Sequence, residues 1–416
     1  MQTLIIKNIG LLAGILQKSN VLKGDDLKRI ESLKHAFLHI EDGLICNWGS
    51  MEELEIYLNT MHEQANFYDA ERATIIPCWV DSHTHIVFAA TREDEFVDKI
   101  KGLSYAEIAA KGGGILNSAK RLQHTSADDL FVMAWKRLEQ LICMGTGAIE
   151  IKSGYGLNID SELKMLRVIH KLKEKSPIPI KATFLGAHAF PLEFKDNHLG
   201  YINMLINDLL PQIAKEKLAD FIDVFCEQGF FSTDEMVQVI KAGEEYGLTS
   251  KLHVNQLSSM GGLQAAIQCG ALSVDHLEVM TDNDIQTLAA SNTIGTMLPT
   301  AAYFLRMPYQ PARQMIDAGC TVALASDYNP GSSPGGNMHT VVSMSCVQMK
   351  MLPEEAINAA TINGAYAMQC EAICGSITKG KRANLQFMPP MQSLAYIPYA
   401  FSHPIIERVM INGSFV

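Results

Sequence analysis

The chain has 416 residues, of which 48% are hydrophobic and 19% charged, and its formal net charge is −11. This is enough apolar sequence for one large core plus a smaller unit, and too apolar for a disordered chain. The acidic balance, with no Lys/Arg block, excludes a phosphate-backbone partner such as nucleic acid, and no uncharged apolar stretch reaches the roughly 20 residues of a membrane span.

Met1 to Ser19 is apolar but broken by Lys7, Gly10 and Gly14, and it lacks a small-residue cleavage site, so it is not read as a signal peptide. The nine cysteines are scattered without a C-x-x-C pair, which points to reduced thiols and a cytoplasmic protein. Thr3 to Lys7 and Ala36 to Ile40 read as strands, and Asp42-Gly43 signals a hairpin turn before Leu44 to Cys46. The other end mirrors this, with strands at Ala383 to Phe387 and Ile406 to Ile411 and a second turn signal at Asn412-Gly413. Neither end carries apolar residues enough for its own core. The expectation is a small composite β-sandwich domain built from 1–70 plus 372–416.

Between the ends, eight β-rich runs alternate with helical stretches. The runs are Ile75–Val80, Ala148–Lys152, Lys181–Leu185, Phe221–Phe225, Lys251–Val254, Leu272–Asp275, Thr293–Met297 and Thr321–Ala325. Helices are predicted over Asp128–Cys143, Asp160–Lys175, Asn197–Lys215, Thr233–Tyr246 and Pro353–Met368, several of them opening on Ser, Thr, Asp or Asn caps. Eight alternations make the fold class α/β, a (β/α)8 TIM-type barrel over 71–371. A doubly wound open sheet is the competing architecture, and the count of eight favours the barrel.

Polar residues follow almost every run. His83-Thr84-His85 follows the first, and alternate residues at a strand end point the same way. Alone the triplet is weak, because 13 histidines give about 0.4 such triplets by chance. Ser153-Gly154-Tyr155 follows the second run, His188 the third and Glu227 the fourth; the fifth carries His253 and then Gln256. The sixth delivers His276 and Glu278, and the eighth delivers Asp327 and then Asn329 to Ser332. In a barrel all of these gather at one mouth. His83, His85, His253 and Asp327 offer three nitrogens and one oxygen, the donor set of a catalytic zinc-type site with a position left for water. His276 and Asp327 are placed to move the proton. His276 and His188 each have a plainer reading as hydrogen-bonded polar residues, and Asp327 as a cap. Glu227 and Glu278 read equally as supports or as solvated rim groups. Arg92 reads equally as the partner of a substrate carboxylate or as an ion pair within its own loop with Glu93, Asp94 or Glu95. Lys111 to Gly114 is either a lid or a chain reversal. His124, His170, His198 and His339 read as structural or surface residues.

These motifs resemble the amidohydrolase superfamily and, within it, the imidazolonepropionase family. The likeness spans Pro77 to His85, Thr91 to Phe96, Gly112 to Ile115, Lys152 to Gly156, Phe184 to His188 and Ser326 to Ser332. It implies one zinc or iron ion per chain on His83, His85, His253 and Asp327. It also implies substrate contacts from Arg92, Tyr155, His188, Gln256, Asn329, Gly331 and Ser332. The implied reaction is hydrolysis of 4-imidazolone-5-propanoate, a small substrate bearing a carboxylate, to N-formimidoyl-L-glutamate. Relatives often dimerise, so the resemblance leaves a homodimer open. Three positions depart from the pattern. Cys78 replaces a glycine, Asn255 stands where an acid is common, and Gln256 stands where some members carry Glu. An amide cannot act as a base. Base duty therefore falls to Asp327 or His276, and a deaminase is disfavoured. The wider alternatives are an ammonia-releasing aminohydrolase and a non-catalytic scaffold.

Overall fold

A computed structural model describes residues 3–61, 64–103, 107 and 113–416. Eight parallel strands, paired each to the next, run Trp79–Asp81, Thr146–Lys152, Ile180–Ala187, Phe221–Cys226, Thr249–Val254, Ser273–His276, Ile294–Met297 and Val322–Leu324. The first and last are joined at the mouth. Asp327 N donates to the His83 carbonyl at 3.0 Å, and His85 N to the Tyr328 carbonyl at 2.9 Å. Below them the Asp81 carboxylate accepts from Ser326 N at 2.9 Å and from Ser326 Oγ. The result is a nearly closed (β/α)8 barrel.

Both faces of a barrel strand are covered, so the strands read as near-continuous apolar runs; Phe221–Cys226 is buried throughout. Helices pack outside. Ala127–Cys143 starts at Ser126, whose hydroxyl accepts from Asp129 N at 3.1 Å, and buries Leu130, Ala134, Leu138 and Leu141 along one stripe. Thr233–Glu245 begins with a reciprocal Ser232–Glu235 capping box.

The chain ends meet in a second, mixed sheet of eight strands that encloses its own apolar cluster, with Ile6, Leu12, Leu38 and Ile45 from one end and Leu385, Phe387 and Met410 from the other. Both hairpin turns behave as their sequences suggest, with left-handed φ at Asp42 and Gly43 (46° and 81°) and at Asn412 and Gly413 (49° and 75°).

Three expectations are corrected. The run Ile75–Val80 is divided between two sheets. Thr74–Pro77 pairs in the mixed sheet, and only Trp79–Asp81 enters the barrel. Pro77 has no amide hydrogen to extend a ladder, and the chain changes sheet after it. The helix expected over Asn197–Lys215 is His198–Asn203, a π-helical Met204–Leu209 and Leu210–Glu216. Pro211 cannot donate to the turn before it, and the widened segment ends next to it. The helix expected over Pro353–Met368 breaks into Pro353–Ala359 and Ile362–Ala367. The break frees the Ala360 carbonyl to accept from Val80 N at 2.9 Å, capping the first barrel strand. Of the expected lid, Lys111 and Gly112 lie outside the described residues; Gly114 has φ 83° and opens the helix Ile115–His124.

Candidate active site

His83 and His85 leave the first barrel strand two residues apart, and both Nε2 atoms sit 3.5 Å from Asp327 Oδ1. The His83 ring lies 4.5 Å from His253 and 5.6 Å from His276, and His85 lies 5.7 Å from His253. Two overlapping groups of donor atoms result among the described residues, His83–His85–Asp327 and His83–His253–His276, each within 4.8 Å. His83 is common to both.

The backbone holds Asp327 and His276 in left-handed conformation, φ 52° and 89°. Each costs on the order of 1–3 kcal/mol, which the seam and sheet bonds offset. Carboxylates lie against three of the imidazoles. His83 Nδ1 meets Asp275 Oδ2 at 2.7 Å, and His253 Nδ1 lies 2.8 Å from Asp223 Oδ2. His276 Nδ1 meets Glu278 Oε1 at 3.3 Å. Burial, joined by the positive charge of Lys152 and the other histidines, holds His83, His85 and His253 well below the usual histidine range, so they are neutral. Neutral imidazoles are what a metal requires. His83 Nε2 is buried and has no hydrogen-bond partner, an arrangement that costs about 1–3 kcal/mol unless something occupies the centre. The donor set therefore fits a divalent ion.

His276 is different. Burial opposes its proton, but Glu278, Asp327 and Asp275 outweigh burial and lift it to about 9. The neighbouring carboxylates favour its charged form. Burial raises Asp327 to about 6, with the nearby His276 charge and its Asn329 and Ser332 contacts pulling the other way.

The remaining predicted residues surround this centre. The Tyr155 ring is 5.8 Å from His85 and 5.5 Å from His188. The His188 ring is 5.6 Å from His85, and its Nδ1 meets the Gly154 carbonyl at 3.1 Å. The Arg92 guanidinium lies 5.9 Å from the Tyr155 ring. It donates to Ser118 Oγ at 2.8 Å and sits 4.0 Å from Glu95, a loose intraloop pair. A Cβ on Gly331 would come 2.5 Å from Arg92 Nη1, so a side chain there would push the guanidinium from its present position. The Asn329 amide is spent on its own turn, accepting from Gly331 N and Ser332 N and donating to the Asp327 carbonyl and Ser332 Oγ. Ser332 Oγ in turn reaches Asp327 Oδ2 at 3.3 Å. Gln256 is buried, with its backbone held by Glu227, which also accepts from Leu257 N and Ser258 Oγ. Glu227 thus shapes the loop after the fifth strand, and Glu278 serves His276. Asn255 has φ 56°, a conformation asparagine tolerates, and donates to the Val279 carbonyl. Cys78 packs on Gly147. Of the histidines set aside, His339 is tied to the Ile397 carbonyl, and His170 and His198 pair with Glu174 and Glu235.

With the site assembled, comparison decides the family. The amidohydrolase family profile matches residues 74–416. The imidazolonepropionase of Flavobacterium johnsoniae is 52% identical over 99% of both chains. The chain belongs to the imidazolonepropionase family of amidohydrolases. The Clostridium tetani imidazolonepropionase is 40% identical over 94% of this chain and 93% of its own. Among solved structures, guanine deaminase from C. acetobutylicum superposes with TM-score 0.71 at 15% identity, covering all of both chains. An adenosine deaminase from Xanthomonas campestris with bound zinc gives 0.70 at 13%, covering 99% of this chain and 92% of its own. Such low identity shows the shared fold alone.

Sequence reasoning missed the charges under the site. Lys152 Nζ lies 2.6 Å from Glu150, 2.9 Å from Asp223 and 3.6 Å from Asp275, all wholly buried. Lys251 adds a 3.2 Å contact to Glu150. Lys152 thereby bridges the carboxylate bonded to His83 and the one beside His253. The signal was available in Ala148–Lys152, where Glu150 and Lys152 alternate with Ile149 and Ile151 and so face the barrel interior.

Proposed function

We propose that this protein hydrolyses the ring amide of 4-imidazolone-5-propanoate to N-formimidoyl-L-glutamate, a step of histidine degradation, using one zinc or iron ion on His83, His85, His253 and Asp327. A donor centre of neutral imidazoles and an arginine on one mouth, in a chain 52% identical to a curated imidazolonepropionase, carries this reading. The bound ion supplies Lewis acidity that makes water nucleophilic near neutral pH.

The protein's own groups do the rest. Arg92 binds the propionate, with Tyr155 and His188 closing the pocket beside it and Gly331 leaving it room. Gln256, Asn329 and Ser332 shape the walls. Asp327 accepts the proton of the attacking water, because its carboxylate faces the centre and has lone pairs to spare. His276, held protonated by Glu278, has no such lone pair and instead donates to the carbonyl oxygen as negative charge gathers there. Hydroxyl adds to the carbonyl carbon, the C–N bond breaks, and the proton held by Asp327 passes to the departing nitrogen. No helix of the described residues is long and apolar enough to cross a membrane.

The test is an assay of metal-replete protein with imidazolone propionate, following the loss of ultraviolet absorbance and the appearance of ring-opened product. Stoichiometric ammonia release would overturn the reading in favour of an aminohydrolase.

A further inference from the structure

In the mixed sheet, the hairpin formed by Glu31–Glu41 and Leu44–Ser50 carries a second cluster of donors. His39 Nε2, a Glu41 carboxylate oxygen and Cys46 Sγ all lie within 4.8 Å of one another. The local backbone explains the meeting. His39 and Glu41 are two residues apart on one strand and share a face. Cys46 joins them because the register slips between His39 and Ile40. His39 pairs with Asn47 and Ile40 with Ile45, so Cys46 is the extra residue of a bulge. A bulge re-aims a side chain in this way.

Cys46 Sγ donates to the Leu44 carbonyl at 3.7 Å, and one donor atom of the cluster is left without a hydrogen bond. His39 is only 2% exposed, and its Nε2 has no hydrogen-bond partner although Glu41 Oε1 is 3.2 Å away. Its other nitrogen, Nδ1, is held by Tyr57 OH at 2.8 Å, and Tyr57 stacks on Phe37. A ligating histidine is fixed in this manner through the ring nitrogen that does not touch the metal. Cys46 Sγ reaches Glu41 Oε2 at 3.5 Å, and Glu41 is 42% exposed, which leaves the cluster open to ions from solvent.

We propose that His39, Glu41 and Cys46 bind a borderline-soft divalent cation of the zinc class, separate from the catalytic centre. One nitrogen, one carboxylate oxygen and one thiolate, with water as fourth ligand, make a tetrahedral zinc set. Binding releases one proton, from the Cys46 thiol, and pins the hairpin to Tyr57.

The test titrates cobalt(II) into holoenzyme that elemental analysis shows to carry one zinc per chain, so that the four-donor catalytic centre is filled and the second site is free. A thiolate ligand produces a near-ultraviolet charge-transfer band, which the all-nitrogen-and-oxygen catalytic set cannot produce. We expect the band to saturate at one cobalt per chain, to vanish in Cys46→Ser, to weaken in Glu41→Gln and to survive in Cys143→Ser, an exposed-thiol control. Specific activity should be the same in all four proteins. Absence of a saturable band in the wild type, or its persistence in Cys46→Ser, overturns the proposal.

Discussion

Replacing His276 by Phe removes the imidazolium at the centre while leaving the imidazole–carboxylate set intact. The expected result is a fall in kcat of roughly a hundredfold or more, with metal content unchanged, checked by turnover alongside elemental analysis. Loss of the metal would instead make His276 a ligand. Arg92→Met acts on a contact present in ground and transition states alike, so KM should rise about tenfold to a hundredfold with kcat little changed. Gly331→Ala tests the same contact from the other side. Its methyl group would press on Arg92 Nη1, and KM should rise without any change in charge.

At the scale of elements, the barrel interior is the exposed flank of the design. Lys152→Met would leave Glu150, Asp223 and Asp275 buried around a missing cation, a loss of about 3–5 kcal/mol, visible as a lower denaturation midpoint in urea. The strand-and-helix alternation was legible because buried parallel strands are short, apolar and regularly spaced. Element boundaries were less so. Nothing in Ile75–Val80 marks where one sheet hands over to another, since that depends on which neighbour each half meets. The candidate metal donors were readable because each falls at a strand end. The roles of Glu227, Glu278 and Asn329 were not, because they turn on bonds to backbone amides and to His276 that only the folded loops create. The grouping of Cys46 with His39 depends on a register slip that has no counterpart in periodicity.

For the molecule as a whole, the two chain ends are sewn together by Lys381. It is 3% exposed and donates to Ser19 Oγ at 3.1 Å, the Cys374 carbonyl at 3.1 Å and Ser376 Oγ at 2.7 Å. Burial lowers it from 10.5 to about 8. Its charged form is therefore harder to keep folded than unfolded. The penalty is full below about pH 8 and fades as pH rises towards 10.5, so this group contributes more favourably in alkali. Relative to Lys381→Met, the wild-type unfolding free energy should climb between pH 8 and 10, as chemical denaturation at several pH values would show; parallel curves would refute it.

The seam between Asp81 and Ser326 spans 245 positions of sequence. A polypeptide still emerging from the ribosome thus has His83 and His85 early and acquires their aspartate only when its last barrel strand is made. A centre that needs Asp327 therefore cannot be completed before the last barrel strand has been made, although His83, His253 and His276 are all present earlier.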